Sequence, residues 1–165
     1  MRKPNPEHIE RLHRLIEVSP YPSLLSMRLV NIGIGFAEIE IAIARKHKQL
    51  LGVVHGGVLA SLIDTVAFWA VYFGIQQADQ WYTSVDLKVN YLAPAVSGKL
   101  VASGRQIKVG KKICYASAEI LDSAGNILAH GSSTMMILPN KNKLDDFPLP
   151  PKFIEEIGDV GENDS

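Results

Sequence analysis

Residues 56 to 75 read GGVLASLIDTVAFWAVYFGI, and Asp64 is the only formally charged side chain in the run. As a helix this segment would be about 30 Å long and apolar on every side, so it must lie either in a bilayer or deep inside a folded domain. The bilayer is the poorer home, because an aspartate near the middle of a span is expensive in lipid and the amphipathic segments on both sides have no membrane rationale. The run is therefore expected to be a core helix, buried nearly all round, with a sheet curled around it.

The flanking sequence supplies that sheet. Met27 to Ile32 and Phe36 to Ala44 read as strands about a Gly33/Gly35 turn, with Ile39, Ile41 and Ile43 alternating against Glu38, Glu40 and Ala42. Residues 84 to 91 alternate again, Val85, Leu87, Val89 and Tyr91 on one face and Ser84, Asp86, Lys88 and Asn90 on the other. Leu100 to Val109, Ile113 to Leu121 and Ile127 to Leu138 are further extended runs joined by VGKK and DSAGN. The expectation is an α+β fold: one long central helix wrapped by a curved antiparallel meander of about six strands. Asn5-Pro6-Glu7 starts a short amphipathic helix through Ile9, Leu12, Leu15 and Ile16, which Ser19-Pro20 ends. The chain thus divides into a helix over 1–20, a main domain over 21–138 and a tail over 139–165 that is proline-rich and acidic, expected to drape the surface and to carry no chemistry.

At 165 residues with 47% hydrophobic composition, one domain with a sizeable core is all the chain can hold. Seventeen basic residues balance seventeen acidic ones, which argues against nucleic acid as a partner. A single cysteine, Cys114, cannot form an intrachain disulfide, and the opening MRKPNPEHIERLH is charged where a signal peptide would be apolar, so a cytoplasmic location is expected.

Two features of the apolar run carry chemistry. His55-Gly56-Gly57 stands at its start, where glycine leaves backbone N–H groups unobstructed and the positive end of the helix dipole can help them polarise a carbonyl oxygen. Asp64 is a carboxylate in apolar surroundings with no cation on its own helix to pair with; such groups are either hydrogen-bonded packing residues or catalytic bases and nucleophiles. Gly56 and Asp64 are eight residues apart, about 12 Å along the axis, too far to grip one carbonyl together. A second copy of the chain would unite them, with the two helices antiparallel about a twofold and each Gly56 facing the other chain's Asp64.

The stretch His55-Gly56-Gly57-Val58-Leu59-Ala60-Ser61-Leu62-Ile63-Asp64-Thr65, followed by the strand from Ser84, resembles the hotdog-fold acyl-CoA thioesterases of the phenylacetate-pathway (PaaI-like) type over roughly residues 20 to 138. The resemblance implies a sheet wrapped on the helix, homodimers joined through a continuous sheet, often paired into homotetramers, and hydrolysis of an acyl-CoA thioester at a site shared between subunits. It makes Gly56 the N–H donor to the thioester carbonyl and Asp64 of the partner the nucleophile or general base. His55 would orient the thioester or the donor loop, Gln49 would position the attacking water, and Ser84, with Thr83 as the adjacent alternative, would hold that water near the aspartate. Some related thioesterases place a hydroxyl one turn beyond the carboxylate; here that position is Phe68.

Phe68, Trp69, Tyr72 and Phe73 form an aromatic series that either shapes an acyl or aryl pocket or fills the core. Gly57, Phe68 and Thr83 are taken as candidate substrate contacts. Lys108, Lys111 and Lys112 around Gly110, and Arg45-Lys46-His47-Lys48, are the basic clusters that could hold the coenzyme A phosphates. No metal ligand cluster and no cofactor motif is visible, coenzyme A entering only as part of the substrate. The competing reading is a non-catalytic hotdog module that binds acyl-CoA or lipid, which would have no use for Asp64.

Overall fold

The computed structural model describes residues 2–75, 80–138 and 148–155. Its centre is α3, Gly56–Val71, prolonged by a 3-10 turn over Tyr72–Gly74. Six strands wrap it: β2 (Arg28–Gly33), β3 (Phe36–Ala42), β4 (Trp81–Tyr91), β5 (Lys99–Val109), β6 (Ile113–Leu121) and β7 (Ile127–Leu138). They form one antiparallel sheet in the order β2-β3-β5-β6-β7-β4. The meander expected from the sequence holds from β5 to β7, whereas β4 adds beyond β7 and so becomes an edge.

Gly56–Gly74 is long and apolar enough to cross a membrane, with mean hydropathy 1.5, but here all six strands pack on it. Leu62, Ile63, Val66, Ala67, Ala70 and Val71 lose all contact with solvent against Ile39, Ile41, Leu100, Ala102, Ala116 and Ile120 from the strands. Gly104 in β5 lets the helix come close: a Cβ there would lie 2.5 Å from the Val66 carbonyl oxygen. The expectation that α3 is buried on every side needs correction. Gly57 is exposed and Ser61, Asp64, Thr65 and Phe68 are half-buried, so one stripe of the helix is left open where the sheet does not close over it.

The N-terminal helix is α1, Pro6–Val18, with Asn5 Oδ1 accepting from Glu7 N at 3.1 Å as its cap. Its apolar face, Leu12 and Ile16, joins the core. A short α2, Pro20–Leu24, follows, and its Tyr21 hydroxyl lies 2.6 Å from Ser61 Oγ on the open stripe. The described part of the tail does more than drape. Phe153–Glu155 (β8) pairs with Arg2–Pro4 (β1) in a second, two-stranded sheet. Lys152 Nζ donates to the Tyr72 and Ile75 carbonyls at the end of α3, where a cation suits the helix dipole. The rest of the tail, 139–147 and 156–165, lies outside the described residues.

Candidate active site

His55 caps α3. Its Nδ1 accepts from Gly57 N at 2.8 Å, so Nδ1 is the acceptor and the proton of the neutral ring sits on Nε2. Gly57, expected to touch substrate, therefore has its N–H engaged by His55. The Gly56 N–H has no partner among the described residues and is the free donor of the turn. Tyr91, at the far end of β4, closes over it: its hydroxyl donates to the Gly56 carbonyl at 3.2 Å, and a Cβ on Gly56 would lie 3.2–3.3 Å from the Tyr91 ring.

The turn is fixed from behind by His47, which is fully buried. Its Nδ1 accepts from Ala44 N and its Nε2 donates to the Leu25 carbonyl, while its own carbonyl accepts from His55 N at 2.8 Å. Within the Arg45–Lys48 cluster this removes His47 as a phosphate ligand, because both ring nitrogens are spent on backbone. Lys46 is tied to the Leu24 carbonyl and Ser26 Oγ. Gln49 is exposed in the 48–54 loop that leads into the turn, its backbone closing on Val53.

Asp64 faces the open stripe. Ser84 Oγ donates to Asp64 Oδ1 at 2.7 Å, and Ser133 Oγ stands 3.4 Å from the same oxygen. Strict alternation along β4 would put Ser84 on the opposite face from Leu87, Val89 and Tyr91. A bulge between Ser84 and Asp86 reverses it: Ser84 pairs with Met135 and Leu87 with Ser133, so all of them share the face toward α3. Thr83 lies one residue before Ser84 and is exposed on the other face. Ser133 escaped the sequence reading although Gly131, Ser133 and Met135 alternate inward in β7; a serine within Ser132-Ser133-Thr134 carries no compositional mark.

Phe68, one turn beyond Asp64, stacks on Tyr82 with centroids 4.2 Å apart and meets Trp69 and Trp81 at 5.3 and 5.8 Å. Lys108, Lys111 and Lys112 are exposed at the β5–β6 turn. That turn sits past the opposite end of α3 from His55, where Gly74 lies against Gln106 and Val109. One protomer thus brings Ser84 and Ser133 to Asp64 and Phe68 beside it, and leaves the His55–Gly57 turn, Gln49 and the lysines apart. Among the described residues no three His, Cys, Asp or Glu side chains stand together as metal ligands would.

A curved sheet around one long helix, with a hydroxyl-bound carboxylate on that helix's open stripe and a free amide at its start, defines a hotdog α+β enzyme. Comparison with known proteins agrees. The Thioesterase superfamily profile matches residues 51–129. Acyl-coenzyme A thioesterase 13 of Mus musculus is 30% identical over 97 residues, 58% of this chain and 68% of that one. The Homo sapiens protein of the same name is 29% identical over 108 residues, 64% of this chain and 76% of that one. A thioesterase of Haemophilus influenzae superposes with a TM-score of 0.76 at 22% identity, covering 84% of this chain and 96% of its own. The Escherichia coli PaaI protein from the phenylacetic acid degradation operon does so at 0.72 and 18%, covering 82% and 96%. This chain belongs to the thioesterase superfamily and is a thioester hydrolase.

Proposed function

We propose that the protein hydrolyses acyl-CoA thioesters to the free acid and coenzyme A, at a site shared between two subunits of a homodimer that pairs further into a homotetramer. The observation that carries this is the separation of the two chemical groups. Asp64, anchored by Ser84 on the open stripe, and the Gly56 N–H, unpartnered among the described residues, lie about 12 Å apart on one helix, and a twofold would bring each to its opposite number. The outer side of β4, eleven residues long and without a neighbouring strand among the described residues, supplies an edge across which two sheets can join.

In this arrangement the Gly56 N–H of one subunit takes the thioester carbonyl oxygen and stabilises the negative charge that develops on it. Asp64 of the other subunit either attacks the carbonyl carbon, expelling CoA thiolate and leaving an anhydride for water to open, or removes a proton from the attacking water. In both routes the thiolate leaves with a proton and one water is consumed overall; the acid takes its new oxygen from that water, except where water opens the anhydride at the Asp64 carbon, when the acid takes an oxygen of Asp64 and water replaces it. Label found in Asp64 after a single turnover in oxygen-18 water therefore marks the anhydride route. Gln49 positions the water and His55 holds the donor turn through Gly57. Lys108, Lys111 and Lys112 meet the CoA phosphates; no metal or added cofactor is required, and we place the enzyme in the cytoplasm.

Asp64→Asn and Asp64→Ala should each lower acyl-CoA turnover by on the order of a hundredfold or more with the fold retained by circular dichroism. Unchanged turnover would remove Asp64 from the mechanism. Thermal stabilisation by acyl-CoA without thiol release from any thioester would instead mark a non-catalytic binding module.

A further inference from the structure

A cavity of about 180 Å³ lies between α1 and the later turns of α3, walled by Leu12, Leu15 and Ile16 on one side and Trp69, Tyr72 and Trp81 on the other. Its two hydroxyls are already satisfied: the Tyr72 hydroxyl meets His8 Nε2 at 2.7 Å and Ser19 Oγ donates to the Leu15 carbonyl. What remains is an apolar slot with aromatic walls. Aromatic rings stand between it and the carboxylate: Phe68, one turn past Asp64, meets both Trp69 and Trp81, and Trp69 reaches Tyr72 at 5.3 Å, so an acyl chain passing from Asp64 to the cavity would run along these rings and displace Phe68.

We infer that this cavity receives the far end of a medium-length acyl chain, so that α1, outside the wrapped-helix unit, sets chain-length preference. The inference rests on the acyl-CoA reading above. Trp69 and Tyr72 are five and eight residues beyond Asp64, which is about 8–12 Å along the helix. Carbon–carbon bonds of about 1.5 Å, shortened by the zigzag, need roughly six carbons to reach the slot and about ten to fill it. Butyryl stops short and decanoyl enters.

Both tryptophans of the chain, Trp69 and Trp81, line this cavity, so intrinsic emission reports directly on its occupation. In Asp64→Asn, which holds the thioester, decanoyl-CoA should shift tryptophan emission to shorter wavelength and butyryl-CoA should not. Leu15→Phe, which narrows the slot, should lower the decanoyl-to-butyryl ratio of kcat/KM by about tenfold or more. Equal emission responses to the two thioesters, or none, would overturn the assignment, as would a Leu15→Phe variant with an unaltered ratio. Should the wild type release no thiol from any chain length, the catalytic reading falls while the emission measurement still judges the cavity.

Discussion

Ser84 and Ser133 converge on one oxygen of Asp64, Oδ1, while Oδ2 accepts no hydrogen bond among the described residues. That asymmetry turns the carboxylate so that one oxygen is anchored and the other is presented. The two serines are unequal anchors, because Ser133 Oγ has a single proton and lies nearer the Asp86 carbonyl, at 3.2 Å, than Asp64. A hydrogen bond to a charged group contributes about 1.5–3 kcal/mol, so Ser84→Ala should cost roughly tenfold or more in kcat/KM. Ser133→Ala should cost only a few-fold, its proton being shared with backbone. Steady-state kinetics on the two variants decides; equal losses would contradict the ranking. Asp64 and the glycine pair were legible in the sequence because a charge in an apolar run and two glycines at its start break a pattern. Ser84's side of its strand was not, since one bulged residue, Val85, reverses the alternation and leaves no trace in composition.

The elements that flank the core show which signals a sequence carries. Helix α1 announces itself through Asn5, Pro6 and the spacing of its apolar residues, whereas strands of three residues, β1 and β8, are too short for any period to register. Yet β8 and the residues before it are held by specific bonds: Asn5 Nδ2 donates to the Pro151 carbonyl and His8 Nδ1 to the Pro150 carbonyl, 2.8 and 2.7 Å. Burial pushes His8 below the usual histidine range, against the pull of the Pro150 carbonyl it binds and with the help of the nearby Lys152 ammonium. A histidine held neutral in the fold leaves the unfolded chain binding the extra proton first, so stability should be complete above about pH 6.5 and decline below it. The melting temperature of the wild type should fall from pH 7 to 5 more steeply than that of His8→Gln, a prediction checked by thermal scans at about those pH values. Packing of α3 on β5 makes a separate claim. Gly104→Ala sets a methyl against the Val66 backbone, which cannot swing aside as a side chain can, and should cost about 1–3 kcal/mol in urea denaturation.

At the scale of the assembled molecule, the claim that needs testing is that neither subunit holds a complete site. Gly56→Pro removes the N–H donor with little else. The position is the first of the helix, where proline is well tolerated, and its amide is unbonded among the described residues. His55 before it already has φ −66° and ψ 136°, the backbone a following proline requires. A Cβ there lies 3.2–3.3 Å from the Tyr91 ring, which must yield slightly. Gly56→Pro and Asp64→Asn should each be inactive alone. If Gly56 of one chain serves Asp64 of the other, a dimer of the two variants contains one site with both residues intact and one with neither. Unfolding equal amounts together and refolding them should make half of the dimers mixed, and so return about a quarter of wild-type turnover. A site completed within one chain gives the opposite result, since every protomer in the mixture then lacks one of its two groups and no activity returns.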